Sequence, residues 1–284
     1  MQLPFSIVDA HVHFWNPDRL NYPWLASVPA LSSPFLPDDY AAATKAASVE
    51  KMIFVECGCE PAQSLKEAGW ITELAAREPR LKGIVAQASV ELGAGAIDEL
   101  KAHSKNPLVK GIRRNIQAET DPSFCLQPDF IAGVRSLAEY DFTFDLCIIP
   151  PQLPAVTQLV HRCPEVFFIL DHCGKPAIRD RALDPWRQHL RELAALPNVA
   201  CKISGLVTEA NPGQCGAPDL KPCVTHALDC FGFGRVLFGG DWPVCELAAP
   251  YETWLAALGS IVAHEPETAV DKLFRTNAEG IYRV

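Results

Sequence analysis

The chain is predicted to fold as an α/β protein, a single (β/α)8 TIM barrel, and three observations carry that prediction. Eight short apolar runs rich in β-forming residues recur along it, with segments of helical spacing between them. The runs are nearly continuous in apolar residues rather than alternating, as strands of a parallel sheet covered by helices must be. Eight is also the number of such repeats that closes a barrel.

The strands are expected at "SIVDAHVHF" (6–14), "KMIFVECG" (51–58), "KGIVAQASV" (82–90) and "LVKGIRRNI" (108–116), then at "FTFDLCII" (142–149), "VFFILDHCG" (166–174), "NVACKISG" (198–205) and "RVLFGGDWP" (235–243). Between them, "PDDYAAATKAAS" opens on Pro37 and Asp38, a sound helix start. "PAQSLKEAGWITELAAREP" places Leu65, Ala68, Trp70, Ile71 and Leu74 at near-helical spacing and stops at Pro79, and "DPWRQHLRELAALP" behaves alike between Pro185 and Pro197. "PCVTHALDCFG" and "YETWLAALGSIVAH" follow the last two strands. The Pro-rich stretch 16–39 reads as a long loop after the first strand, a lid rather than a linker, so residues 1–284 are expected to form one domain. An open doubly wound sheet would show a Gly-rich first turn. Here that turn carries histidines, and Gly239-Gly240 comes too late and at the wrong spacing.

Composition narrows the partners. The 284 residues are 49% hydrophobic and 21% charged, enough apolar material for a large core, and the formal net charge of −9 disfavours nucleic acid or an anionic membrane. The eleven cysteines are odd in number and scattered, many of them in apolar stretches, which points to a reducing compartment and a cytoplasmic protein. Cys57 and Cys59 form a C-x-C pair with no second pair at zinc-finger spacing. The N-terminal stretch has neither a basic region nor a long apolar one, and no apolar run approaches the ~18 residues of a membrane span.

Active sites of parallel barrels lie at the C-terminal ends of the strands. The polar residues ending the eight runs are therefore the candidates: His11 and His13, Glu56, Gln87, Arg113 to Asn115, Asp145, His172, Lys202 with Ser204, and Asp241. His11 and His13 share one face of an extended strand. They are either metal ligands or carbonyl-polarising donors, or else two hydrogen-bonded core histidines. Asp241, between Gly240 and Trp242-Pro243, is either a loop cap or a base that activates water. Of the adjacent arginines only one can point inward, and Arg114 is the expected one if Lys110 and Ile112 share its face. Lys202 would suit a Schiff-base mechanism, which would leave the His-x-His pair unexplained.

Taken together, "VDAHVHFWNP", "LDHCGKP", "CKISGL", "LFGGDWPV" and the closing "LFRTNAEGIYRV" resemble the amidohydrolase superfamily, and within it the lineage of sugar-lactone hydrolases. The resemblance spans Val8 to Tyr282. It implies hydrolysis of an ester, amide or lactone by activated water, with Asp241 as base, His11 and His13 stabilising the oxyanion, and His172 holding the water or protonating the leaving oxygen. Glu56, Arg114 and Trp242 would bind the hydroxyls and face of a small sugar lactone. A zinc ion would take His11, His13 and Asp241, with His172 as a further ligand. The fifth run, however, offers Asp145 and Cys147 where metal-dependent members usually place a histidine, so metal-free hydrolysis is expected to be open to this chain. The competing expectations are a metal-dependent decarboxylase or C–C hydrolase of the same superfamily and, in another class, a non-catalytic sugar-acid binding protein.

Overall fold

The computed structural model describes residues 5–211 and 213–284. Its eight strands are β1 (Ile7–Val12), β2 (Val49–Val55), β3 (Leu81–Gln87), β4 (Val109–Arg113), β5 (Thr143–Leu146), β6 (Phe168–Leu170), β7 (Val199–Ile203) and β8 (Val236–Phe238). All pair in parallel with their sequence neighbours, in the order β1 to β8. The barrel closes where the end of β1 meets the segment past β8: the His13 N–H donates to the Trp242 carbonyl and the Asp241 N–H to the His11 carbonyl, both at 2.8 Å. The closing stitch therefore joins the two segments that carry the first and last candidate residues.

Each strand stops short of the end of the run that predicts it, where the chain turns into a loop, although Gln87, Arg113, Asp145 and Lys202 are still within their strands. Helices α1 (Pro37–Ala43), α2 (Ser64–Ala75), α3 (Ile97–His103), α4 (Pro128–Arg135), α5 (Leu153–Arg162), α6 (Trp186–Ala194), α7 (Leu206–Glu209), α8 (Ala217–Phe231), α9 (Tyr251–Ile261), α10 (Glu267–Asp271) and α11 (Asn277–Tyr282) alternate with them or follow β8. The spacing arguments reach α1, α2, α6, α8 and α9. They pass over α3, α4 and α5, and they start α8 late, since Pro222 lies inside that helix.

Two apolar layers hold the barrel. Inside it, Val8, Ala10, Ile53, Val55, Val85, Ile169, Ala200 and Leu237 pack on Ala278 and Tyr282, so α11 plugs the bottom. The larger layer lies between sheet and helices and includes Val12, Phe54, Ile112, Phe144, Leu170 and Phe238. The loop after β1 carries two short 3-10 turns, Pro23–Ser27 and Pro29–Leu31, and is fastened at its base by the antiparallel bridge of Trp15 to Phe35. All eleven cysteines are unpaired, ten of them buried. No helix among the described residues is long and apolar enough to cross a membrane.

Candidate active site

Strict alternation along β1 from Val8 and Ala10, which face the barrel interior, would send His11 outward. A register irregularity between Asp9 and Val12 prevents this. Asp9 points to the helix layer, where Oδ2 accepts from the Tyr40 and Tyr251 hydroxyls at 2.9 Å each and Oδ1 accepts from Gly240 N–H at 2.8 Å. His11 and His13 then both turn into the barrel mouth, with Nε2 atoms 3.1 Å apart and rings edge to face.

Asp241 completes the cluster, its Oδ1 lying 3.6 Å from His11 Nε2, 3.5 Å from His13 Nε2 and 3.9 Å from His172 Nε2. His172 reaches it because β6 rolls into a left-handed turn: His172, Cys173 and Lys175 have φ of 54°, 53° and 53°. L-residues adopt that conformation at a cost of roughly 1–2 kcal/mol each. The turn brings His172 Nδ1 to 2.9 Å from the Ser204 hydroxyl. Gly205, itself at φ 60°, makes room, since a Cβ there would stand 2.4 Å from His172 Nδ1.

Charge in this cluster is set by burial. Desolvation lowers His172 to about 4 against the pull of Asp241 and Asp171, and it holds His11 well below its ordinary value. Both are neutral near pH 7. Burial would raise Asp241, but the surrounding histidines, His172 first, outweigh it and keep the carboxyl below the usual carboxylate range.

The donor set fits a divalent cation. His13 Nδ1 lies 2.8 Å from the Val55 carbonyl, which can only accept, so that nitrogen carries the proton and Nε2 offers a lone pair. His11 Nδ1 faces Asp171 Oδ1 and the Lys202 ammonium, each at 3.3 Å. With the proton on Nδ1, shared with Asp171, His11 Nε2 also offers a lone pair beside Asp241, as a cation requires. With Nδ1 accepting from Lys202, Nε2 becomes an N–H donor instead. His11, His172 and Asp241 form one compact donor group; Cys147, Asp171 and His172 form another, in which Asp171 is already engaged by cationic side chains.

Beneath the cluster lies a buried ionic floor. Arg113 donates from Nε to Glu56 Oε1 and from Nη2 to the Glu56 carbonyl, both at 2.6 Å, and from Nη1 to Asp171 Oδ2 at 3.1 Å. Lys202 pairs with Asp145 and lies 3.1 Å from Asp171 Oδ1. Burial would lower Lys202, but Asp145 and Asp171 hold it above its ordinary value, so it is an ammonium and no Schiff-base nucleophile.

A cavity of about 380 Å³ opens above these groups. Its reactive wall is His13, His172, Asp241 and Arg113; Asn115, Gln117, Lys175 and Thr208 add polar groups, and Trp15, Trp24, Cys57, Cys147 and Val244 supply the apolar side. Three expectations are corrected here. Arg113, not Arg114, faces the cavity: Lys110, Ile112 and Arg114 do share a face, but Ile112 packs into the outer layer, so that face points away from the barrel axis. Arg114 instead binds Glu91 and Glu119. Trp242 is buried against Phe14, Phe35 and Tyr40 and does not line the cavity. Glu56 is also absent from this lining, although like Arg114 it borders a neighbouring cavity, and it is spent on Arg113 and the Gly58 N–H. Trp24 and Lys175 went unpredicted because they lie in a loop and a left-handed turn, where periodicity carries no signal.

A parallel barrel with paired histidines at the end of its first strand, a histidine after its sixth and an ionised aspartate after its eighth defines a hydrolytic barrel whose reacting groups converge within 3.9 Å of one carboxylate oxygen. The amidohydrolase family model matches residues 8–284, and the chain belongs to that family. It is similar to the L-fucono-1,5-lactonase of Burkholderia multivorans, 38% identical over 256 residues that make up 86% of this chain and 84% of the relative. The L-fucono-1,5-lactonase of Burkholderia ambifaria is 30% identical over 256 residues, 88% of this chain and 85% of its own. A crystal structure of a Burkholderia multivorans amidohydrolase with bound zinc superposes with a TM-score of 0.88 at 33% identity, covering 99% of this chain and 100% of that one.

Proposed function

We propose that this protein hydrolyses a small aldonolactone, L-fucono-1,5-lactone or a close relative, to the open sugar acid. The observation that carries the reading is the convergence of an ionised Asp241 with His13 and a neutral His172 at the base of a monosaccharide-sized cavity, with His11 buried behind them. Two lactonases among the relatives support the substrate class.

Asp241 orients a water against the ring carbonyl. A carboxylate this acidic takes the proton only as the new C–O bond forms and the attacking water becomes strongly acidic. The Nε2–H of His11 is taken up by the His13 Nε2 lone pair 3.1 Å away, so the charge gained by the carbonyl oxygen is met by the cationic Lys175 and Arg113 of the cavity lining. As the ring C–O bond breaks, the alkoxide leaving group receives a proton by way of His172, and the acid product ionises. Arg113, its charge met by Glu56 and Asp171, fixes the depth of the cavity, and Asn115, Gln117, Lys175 and Thr208 meet the hydroxyls. His11, His13 and Asp241, joined by His172, would hold a zinc ion, which would supply Lewis-acid polarisation of the carbonyl and acidify the water. Lactones have better leaving groups than amides, so the reaction tolerates a weakly held metal. In this reading residues 1–284 serve as one catalytic domain and the loop 16–39 as its lid.

The test is acid release from a panel of aldonolactones before and after chelation, with spontaneous hydrolysis subtracted. Turnover that survives chelation assigns the chemistry to the side chains alone. Turnover lost to chelator and restored by zinc makes the ion essential. Absence of turnover on every lactone overturns the reading.

A further inference from the structure

A second cavity, of about 340 Å³, abuts the catalytic one, and Trp24, Gly58 and Asn115 line both. Trp24 is much the largest side chain of this partition. We propose that Trp24 is the wall that restricts the catalytic cavity to a single sugar ring, and that cutting it back turns the chamber behind it into a subsite for a hydroxyl-bearing extension of the lactone. The proposal rests on the lactonase reading.

Three features support it. The catalytic cavity is near the small end of ligand pockets, which run from about 300 to 1,000 Å³, and the second chamber would nearly double it. The chamber carries hydroxyl-binding groups, Gln87, Ser89, Glu60 and Glu91, on walls whose exposed surface is otherwise largely apolar, as the face of a sugar ring requires. Glu91, which binds Arg114 through Oε1, is one of the carboxylates on the chamber wall. Finally, the wall is a loop residue braced on the segments that leave β1 and β2. Trp24 Nε1–H donates to the Cys57 carbonyl at 2.7 Å, and its ring meets Trp15 edge to face at 5.3 Å. Gly58, at φ 65°, lets the chain pass beside the indole, where a Cβ would already touch Cδ1 at 3.4 Å. The half-buried indole packs on the edge of the outer apolar layer and takes no part in the barrel interior, so cutting it back exposes that edge alone.

The experiment compares kcat/KM for a single-ring aldonolactone and for the same lactone carrying a glycosyl group on O4, in the wild type, Trp24→Phe and Trp24→Ala. The wild type is expected to prefer the single ring strongly. Trp24→Ala should shift the ratio toward the glycosylated lactone by about tenfold or more, the range that one well-placed contact gives in specificity, with Trp24→Phe between. Adding Glu91→Ala to Trp24→Ala should take back part of the gain through KM. An unchanged ratio in both variants, with single-ring turnover still measurable, overturns the proposal alone, as does a wild type that handles both lactones equally. A wild type inactive on every single-ring lactone overturns the lactonase reading and the proposal with it. If Trp24→Ala does not fold, the ratio in Trp24→Phe decides.

Discussion

Arg113 Nε donates to Glu56 Oε1 at 2.6 Å, with both side chains almost wholly shielded from water. The pair makes Glu56 a positioning residue for the arginine. Removing one member of a buried ion pair costs about 3–5 kcal/mol, because the partner charge stays behind. Glu56→Ala should therefore destabilise the fold by about that much, whereas Glu56→Gln keeps an acceptor for Nε and should cost less. Chemical denaturation measures both. If Glu56 only holds Arg113, the glutamine variant keeps a near wild-type KM for the lactone; a KM that climbs steeply while stability is unchanged would place Glu56 on the substrate after all.

Asp241→Asn keeps the shape of the cluster and removes the proton acceptor. Loss of a general base typically costs about 10²–10⁴ in rate, so kcat should fall into that range while affinity for the aldonic acid product persists. Acid-release kinetics with calorimetric titration of the acid separate the two quantities. Full turnover in the variant would remove Asp241 from the chemistry, and retained binding with no wild-type turnover would favour a sugar-acid binding protein.

Much of this site was legible because barrel geometry puts the ends of strands together. Apolar runs name the strands, and the polar residues that end them, His11, His13, His172 and Asp241, converge once eight strands close. What escaped depends on local backbone detail. The irregularity in β1 decides which way His11 points, and the left-handed turn at Asp171–Gly174 decides where His172 and Lys175 go; neither leaves a period to read. Choosing between Arg113 and Arg114 needed the knowledge that Ile112 faces the helices. The ionic floor escaped for another reason: Lys202 meets Asp145 from 57 residues away and Arg113 meets Asp171 from 58.

Gly205 offers a test of how tightly His172 is placed. In Gly205→Ala the new methyl would stand 2.4 Å from His172 Nδ1 and 3.1 Å from Asp241 Oδ2, at a backbone φ of 60°. The left-handed backbone alone should cost roughly 1–2 kcal/mol, and the displaced imidazole should cut kcat in addition. Gly232→Ala is the control away from the site, with nothing within 4 Å of the added carbon; its φ of 63° and ψ of 165° lie in a region nearly restricted to glycine, so its backbone cost is at least that of Gly205→Ala. It should show the stability loss without the loss of turnover. Equal activity in the two variants would mean that His172 tolerates displacement.

Glu67 should make stability depend on pH well away from the reacting groups. It is buried, and its pKa is raised from 4.5 to about 8, chiefly by desolvation and then by the nearby Glu56 carboxylate. Near neutral pH the folded protein thus keeps Glu67 protonated, while the unfolded chain ionises it. The folded state binds the extra proton, so the stability Glu67 contributes is complete below pH 4.5 and is lost as pH rises toward 8. Glu67→Gln removes that proton linkage and leaves an amide oxygen that can accept from the Cys57 N–H, as Oε1 does at 3.3 Å. The variant's Tm relative to wild type should therefore rise steadily between pH 5 and pH 8 and level off above it. Thermal unfolding of both proteins across that range measures the difference, and a difference independent of pH would show that Glu67 is ionised in the folded protein throughout.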